Sequence, residues 1–252
     1  MSFNDKVVIV TGASSGIGAA TAIEFSAQGA KVTIVGRNEI KLNEVAKKCK
    51  DPLVIIADVT KDNDVKKIIS DTIKHFGKLD ILINNAGMGM PSSFLAENAM
   101  EVFDKVMATN LRSSVYLTHL AAPHIIETKG NIINISSICA LRVLSTRSLP
   151  YHTAKAALEH FTRSVAAELA PSGVRVNVVA PGPVDTDFTE NCGLKKEQLP
   201  AAAEHMTKMT ALGRRSEAIE IADLILFLAS DKAKAITGAS FLSDNGVLIK
   251  AD

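Results

Sequence analysis

The sequence predicts an α/β protein: a three-layer, doubly wound parallel sheet of about seven strands, flanked by helices on both faces. Three observations lead there. Short runs rich in Val and Ile alternate with longer stretches of helical period along the 252 residues. The short runs are continuously apolar rather than alternating, as in strands buried on both faces of a parallel sheet. Glycines punctuate the pattern, with Gly29 and Gly173 where helix C-caps belong.

In chain order, the runs Val7–Val10, Val32–Val35, Leu53–Ala57, Ile81–Ile83, Ile132–Ile135 and Val174–Val179 read as strands. Helical spacing covers Ala19–Gln28, Glu39–Lys50, Asp62–Phe76, Met100–Glu127 and Tyr151–Ala170. Alternating strand and helix predicts right-handed βαβ units and an open sheet. The apolar segment Ile221–Ala229, interrupted by Asp223, is too short to cross a bilayer and reads as a buried helix. No linker, repeat or change of composition divides residues 1–252, so one domain is expected. The stretch 185–215 is irregular and follows the strand end at Pro181-Gly182-Pro183. Ligands of open α/β sheets bind beyond the carboxyl ends of strands, so this stretch is expected to be a substrate lid.

Composition narrows the function classes. With 28 basic and 27 acidic residues the net charge is +1, which gives no field for nucleic acid or an anionic membrane. Cys49, Cys139 and Cys192 are odd in number and scattered, so neither a disulfide framework nor a structural zinc site is expected. The six histidines show no ligand spacing, and no metal is expected. The N-terminus lacks the features of a signal peptide. A reducing, cytoplasmic setting is the expectation.

Thr11-Gly12-Ala13-Ser14-Ser15-Gly16-Ile17-Gly18 follows the first strand and opens the first helix. Glycines there let the chain turn tightly and let a pyrophosphate approach the backbone. The helix N-terminus offers free N–H groups and partial positive charge. This context marks a dinucleotide-binding (Rossmann) loop. The second strand ends in Gly36-Arg37-Asn38, with no carboxylate for the ribose hydroxyls of NAD and a guanidinium suited to a 2′-phosphate. The residues therefore point to NADP(H) over NAD(H).

From here the chain resembles the short-chain dehydrogenase/reductase family over nearly its whole length. Thr11–Gly18 matches its TGxxxGxG loop, and Asp58-Val59 the acidic pair after the third strand, where the family's Asp contacts adenine. Asn84-Asn85-Ala86-Gly87 matches NNAG, and Asn110 lies in the expected helix. Ser136-Ser137 ends the fifth strand, and Tyr151-His152-Thr153-Ala154-Lys155 matches YxxxK. Pro181-Gly182, with Val184 and Thr186, matches the turn that holds the nicotinamide carboxamide.

The resemblance implies an oxidoreductase that interconverts a ketone and an alcohol by hydride transfer. Tyr151 would be the general acid/base. Lys155, four residues on and on the same helix face, would lower the phenol pKa from near 10 and hold the nicotinamide ribose. Ser137, favoured over Ser136 by the family match, would donate to the substrate oxygen, and Asn110 would hold a proton-relay water. A homotetramer or homodimer is implied, built through the long helices and the C-terminal segment Ile236–Leu248.

Two departures stand out. Asn245 replaces a common glycine in Asp244-Asn245-Gly246, a turn that survives because Asn tolerates left-handed dihedrals. Ser145-Thr146-Arg147-Ser148 is polar for a wall beside a fatty substrate. Phe188, Leu194, Leu199, Met206, Met209 and Leu212 instead lean towards a partly apolar one, or form an amphipathic helix on the core. Three alternatives stay open: a 3-oxoacyl-carrier-protein reductase with Lys129, Lys195, Lys196, Arg214 and Arg215 as its basic patch, a sugar or polyol dehydrogenase, and a non-catalytic cofactor-binding scaffold.

Overall fold

A computed structural model describes residues 2–251, with Asn191 described by its backbone only. The chain runs β1 (Val7–Thr11), α1 (Gly16–Ala27), β2 (Lys31–Gly36), α2 (Glu39–Ala46), β3 (Leu53–Ile56), α3 (Asp62–Phe76) and β4 (Ile81–Asn84). It continues with α4 (Ala99–Met107), α5 (Ser113–Thr128), β5 (Asn131–Ile135), α6 (Leu149–Leu169) and β6 (Arg175–Pro181). The last part holds β7 (Val184–Asp185), α7 (Phe188–Asn191), α8 (Leu199–Met209), β8 (Ser216–Glu217), α9 (Ala218–Ala229) and β9 (Ser240–Ser243).

Seven strands form one parallel sheet in the order β3-β2-β1-β4-β5-β6-β9. Successive side chains of a strand face opposite ways. In β1, Val8 and Val10 enter a core shared with Ala22 and Phe25 of α1 and Ile221 and Ile225 of α9. Val7 and Ile9 enter a second core with Ile68 of α3 and Leu117 and Ala121 of α5. This double burial explains why β1 is continuously apolar from Val7 to Val10. Strand order reverses between β1 and β4, and that switch point opens the crevice used by ligands of doubly wound sheets.

One departure from the sequence reading bears on the site. The stretch read as a single helix over Met100–Glu127 is α4 and α5 joined by a π-helical segment, Ala108–Arg112. A π-turn admits an extra residue into the helix and is common at functional sites. Asn110 sits inside it and is fully buried. The 185–215 stretch is also more regular than its composition suggests. Pro200 stands in the first turn of α8, where a missing N–H costs nothing, and β7 pairs in parallel with β8.

Candidate active site

The carboxyl ends of β1, β2, β4, β5 and β6 open onto a cleft of about 890 Å³ that reaches from Arg37 to Met209. Its floor is the β1–α1 loop. Gly12 has φ +66, and a Cβ there would stand 2.9 Å from the Ala86 Cα. Gly16 has φ +54, and its Cβ would meet the Thr186 side chain at 2.9 Å. Ser15 is the extended N-cap of α1, but its side chain makes no capping bond. The first N–H groups of α1 therefore have no hydroxyl competing for them on the cleft side. Thr11 stitches the loop to its neighbour. Its Oγ1 donates to the Ile83 carbonyl at 3.2 Å and accepts from the N–H groups of Asn85 and Ala86 at 3.0 and 3.1 Å. The Asn85 carboxamide donates to the Thr11 and Gly12 carbonyls.

Gly36, Arg37, Ala57, Asp58 and Val59 line the end of the cleft beside β2 and β3. Burial raises the Asp58 carboxyl pKa, but the N–H and hydroxyl of Thr60 outweigh it, at 3.0 and 2.8 Å from Oδ1, and Arg37 adds to them. The net position is below the ordinary carboxylate range.

At the other end, β5 delivers Ser136 and Ser137, and α6 delivers Tyr151 and Lys155 one turn apart. Ser136 Oγ donates to the Lys155 carbonyl at 3.2 Å, fixing α6 against the strand end. Ser137 Oγ accepts from the Cys139 N–H at 3.2 Å and faces the Tyr151 phenol. Lys155 is only 4% exposed; its Nζ donates to the Ile135 carbonyl at 2.7 Å and lies 5.6 Å from the Tyr151 ring centre. Burial lowers the Lys155 pKa to about 8, with Cys139 pulling the other way. Burial also pushes the Tyr151 phenol well up, helped by Cys139 and Cys192, while Ser137 opposes them. The sequence-based expectation that Lys155 lowers the phenol is therefore not met in the protein alone, because desolvation dominates.

Asn110 clamps the turn after β4. Its Oδ1 accepts from the Met88 N–H at 2.8 Å, and its Nδ2 donates to the Met88 carbonyl at 2.7 Å. Gly87 keeps open the space between Asn110 and Lys155. A Cβ there would stand 2.9 Å from Asn110 Oδ1 and 3.6 Å from Lys155 Nζ.

The stretch 185–215 supplies the far wall. Phe188 of α7 lies against Tyr151, with ring centres 5.7 Å apart, and His205, Met206 and Met209 reach in from α8. Leu144, Ser145 and Thr146 close the opposite rim. Asp185 pairs with Arg215 at 3.0 Å, and Asp187 with Lys41 at 2.5 Å. Asn245 adopts φ +50 in the turn after β9, and its Nδ2 donates to Ser216 Oγ at 2.8 Å.

Comparison with known proteins gives this geometry a context. Residues 12–248 match the family model described as enoyl-(acyl carrier protein) reductase. The chain is 34% identical over 241 residues to an L-fucose dehydrogenase of Bos taurus, covering 96% of this chain and 88% of that one. It is 35% identical over 257 residues to a glucose 1-dehydrogenase of Gluconobacter oxydans, covering 99% and 94%. A Caenorhabditis elegans short-chain dehydrogenase/reductase of unknown function, solved with cofactor, superposes with a TM-score of 0.92 at 36% identity, covering 99% of this chain and 97% of that one.

The chain belongs to the short-chain dehydrogenase/reductase family. It is an NAD(P)-dependent oxidoreductase acting on alcohol or carbonyl substrates. The residues present fit a dinucleotide: Gly12 and Gly16 leave a cradle that a Cβ would fill, and the start of α1 faces it.

Within this family member the structure brings most of the residues read from the sequence to one cleft: Gly12, Ser14, Ser15, Gly16, Ile17, Arg37, Asp58 and Val59 at one end, Ser137, Tyr151, Lys155, Pro181, Gly182, Val184 and Thr186 at the other, and Asn85, Ala86 and Gly87 between them. Three stand behind its wall. Gly18 packs on the Gly12 carbonyl, where a Cβ would come within 2.4 Å. Asn38 caps α2, its Oδ1 accepting from the Lys41 N–H at 3.0 Å. Asn110 faces Met88 rather than the cleft. Of the six lid hydrophobics, Phe188, Met206 and Met209 line the cleft, whereas Leu212 is 68% exposed. Of the basic residues considered for a carrier protein, Lys129 packs on Gly173 at the amino ends of β5 and β6, away from the cleft, while Arg214 is held by Glu220 and Arg215 by Asp185. Cys139, Thr189 and His205 line the cleft without having been singled out. Cys139 stands two residues past Ser137, a proximity that the sequence alone offered.

Proposed function

We propose that this enzyme interconverts a carbonyl and a secondary alcohol with NADP(H) as its preferred cofactor and Tyr151 as the general acid/base. The observation that carries the reading is the convergence of Tyr151, Ser137 and Lys155 beneath the lid, at the end of a glycine-lined channel. When bound, the nicotinamide supplies or accepts the hydride. Gly12, Ser14, Ser15, Gly16 and Ile17 would hold its pyrophosphate, Arg37 its 2′-phosphate, and Asp58 and Val59 its adenine. Asn85, Ala86, Gly87, Pro181, Gly182, Val184 and Thr186 would seat the nicotinamide half.

Burial keeps the Tyr151 phenol protonated, which suits it to protonate an alkoxide oxygen as that forms. Ser137 donates to the same oxygen and holds it in line. Lys155, charged below about pH 8, stabilises the phenolate left behind and the phenol's deprotonation in the reverse direction. Asn110 keeps the Met88 turn, and so the Gly87 gap beside Lys155, in place for proton exchange with solvent.

The relatives and the rim together favour a hydroxyl-bearing substrate. Ser145, Thr146, Thr189 and His205 offer polar contacts opposite Phe188, Met206 and Met209. Among the described residues Lys155 and His205 are the only basic side chains at the Tyr151 end and no carboxylate lines it, which suits a neutral sugar or polyol with one apolar face. Scattered thiols support a reducing, cytoplasmic setting, and no helix among the described residues is long and apolar enough to cross a membrane. Exposed Val115, Ile126, Leu149 and Leu242 on α5, α6 and β9 support a homotetramer or homodimer, and a monomeric mass in light scattering would reject it. Calorimetric titration with NADPH and, separately, NADH tests the cofactor. Tighter NADPH binding is expected, and tighter NADH binding overturns the role given to Arg37.

A further inference from the structure

Residues 185–188 form a strap over the middle of the cleft. Asp185 pairs with Arg215 at the base of the lid, where β7 lies beside β8. Thr186 rests on Gly16 of the phosphate-binding loop. Asp187 reaches the Lys41 ammonium at 2.5 Å, and Phe188 lies on Tyr151. Of the two ion pairs, the Arg215 pair stays within the lid's own hinge. The Lys41 pair crosses to α2, four residues beyond the Arg37 that lines the far end of the cleft. The hydrogen bond to Asp187 holds the Lys41 pKa above its ordinary value.

We propose that the Lys41–Asp187 pair is a latch that fastens the lid strap across the seated dinucleotide and slows its release. The inference rests on the cofactor reading above. A dinucleotide lying from Arg37 past Gly16 to Tyr151 passes beneath the strap, so it leaves only when Thr186 lifts from Gly16 and Asp187 parts from Lys41. The pair is half exposed at both ends, with side chains 48% and 40% accessible. Such a pair does little for folding but is well matched to a gate that must open at every turnover. Its reach on a release rate is about two- to five-fold.

The test measures release of NADPH from the full-length enzyme by stopped-flow fluorescence, chasing with excess NADP⁺, for wild type, Asp187→Asn, Lys41→Met, the double variant and Asp187→Glu. The latch predicts that each of the first two variants releases NADPH about two- to five-fold faster. The double variant should be no faster than either, and Asp187→Glu should stay close to wild type. Rising salt should speed release in wild type but not in the double variant. Unchanged release in the single variants, or effects that add in the double, would overturn the latch. Slower release from Asp187→Asn would also overturn it, since a freed Lys41 would then be serving the cofactor phosphates directly. A wild-type enzyme that binds neither NADPH nor NADH would overturn the cofactor reading itself, an outcome separate from these.

Discussion

The wall of the cleft built by the β1–α1 loop is made of backbone, and the wall built by residues 185–215 is made of side chains. On the first, Gly12, Gly16 and Gly18 leave room where any Cβ would strike neighbouring atoms, and Thr11 and Asn85 fasten two strand ends together. On the second, Phe188, His205, Met206 and Met209 stand on short helices, and the exposed Lys41–Asp187 ion pair ties that segment to α2. The first wall is suited to a ligand whose shape never changes, and the second to one that differs from enzyme to enzyme. Ser137, Tyr151 and Lys155 sit where the walls meet, carried on β5 and α6 and shielded by the lid.

If the comparison is sound, substitutions separate by what they disturb. The largest effect belongs to the junction. Tyr151→Phe should lower kcat by about 10²–10⁴-fold while NADPH affinity changes little; steady-state kinetics beside a fluorescence titration would show the split, and retained turnover would remove Tyr151 from the chemistry. Next, Arg37→Asp should weaken NADPH binding by at least about tenfold and leave NADH binding unharmed, because a charge-assisted contact to phosphate becomes a repulsion. Calorimetry on both cofactors reads this directly. Gly18→Ala should destabilise the fold by about 1–3 kcal/mol in a denaturant melt, since its Cβ would press on the Gly12 carbonyl, which is backbone. A stability equal to wild type would mean that the first wall yields more than its geometry suggests.

A smaller effect concerns the cost of placing a cation beneath the junction. Burial depresses the Lys155 pKa to about 8, below its unfolded value of 10.5, so the unfolded chain binds more protons between those values. Wild-type stability should therefore gain on this account as pH rises from about 8 towards 10.5, and the cost of the buried charge is complete below 8. Lys155→Met should raise Tm near pH 7 by about 2–4 °C, with the gain shrinking at high pH, while activity is lost. A Tm unchanged across that range would show that the Ile135 carbonyl fully compensates the charge. The smallest effect is on the lid. Phe188→Ala should raise KM for an alcohol substrate about two- to five-fold and leave Tm and cofactor affinity alone, which steady-state kinetics and a melt would register.

The same division explains what could be read from the sequence. A wall made of backbone announces itself through glycines after a strand, and the Gly12, Gly16 and Asn85 contacts follow the pattern read at Thr11–Gly18 and Asn84–Gly87. Strands β1 to β6 were legible as continuous apolar runs, whereas β9, Ser-Phe-Leu-Ser and half exposed at the sheet edge, reads only as part of the segment Ile236–Leu248. The lid was legible only as a place. Amphipathic spacing over Leu199–Leu212 does not say which stripe faces the cleft, and Met206 and Met209 enter it while Leu212 turns to solvent. Asn38 carries a second signal. Its position before Glu39 is also that of a helix N-cap, and that use takes its oxygen. The upward shift of Tyr151 was illegible because spacing reveals a neighbouring cation but not the depth of burial.

The π-helical segment Ala108–Arg112 amounts to one residue in excess, written into a long helix. Deleting a single residue there would return the segment to ordinary α-helix, because the wider turn already absorbs the roughly 100° that one residue adds. Leu117, Ala121 and Ile125 would keep their places in the core beneath the sheet, whereas the Asn110 clamp on Met88 would be lost. The extra residue therefore serves the Asn110 clamp and not the packing of the helix.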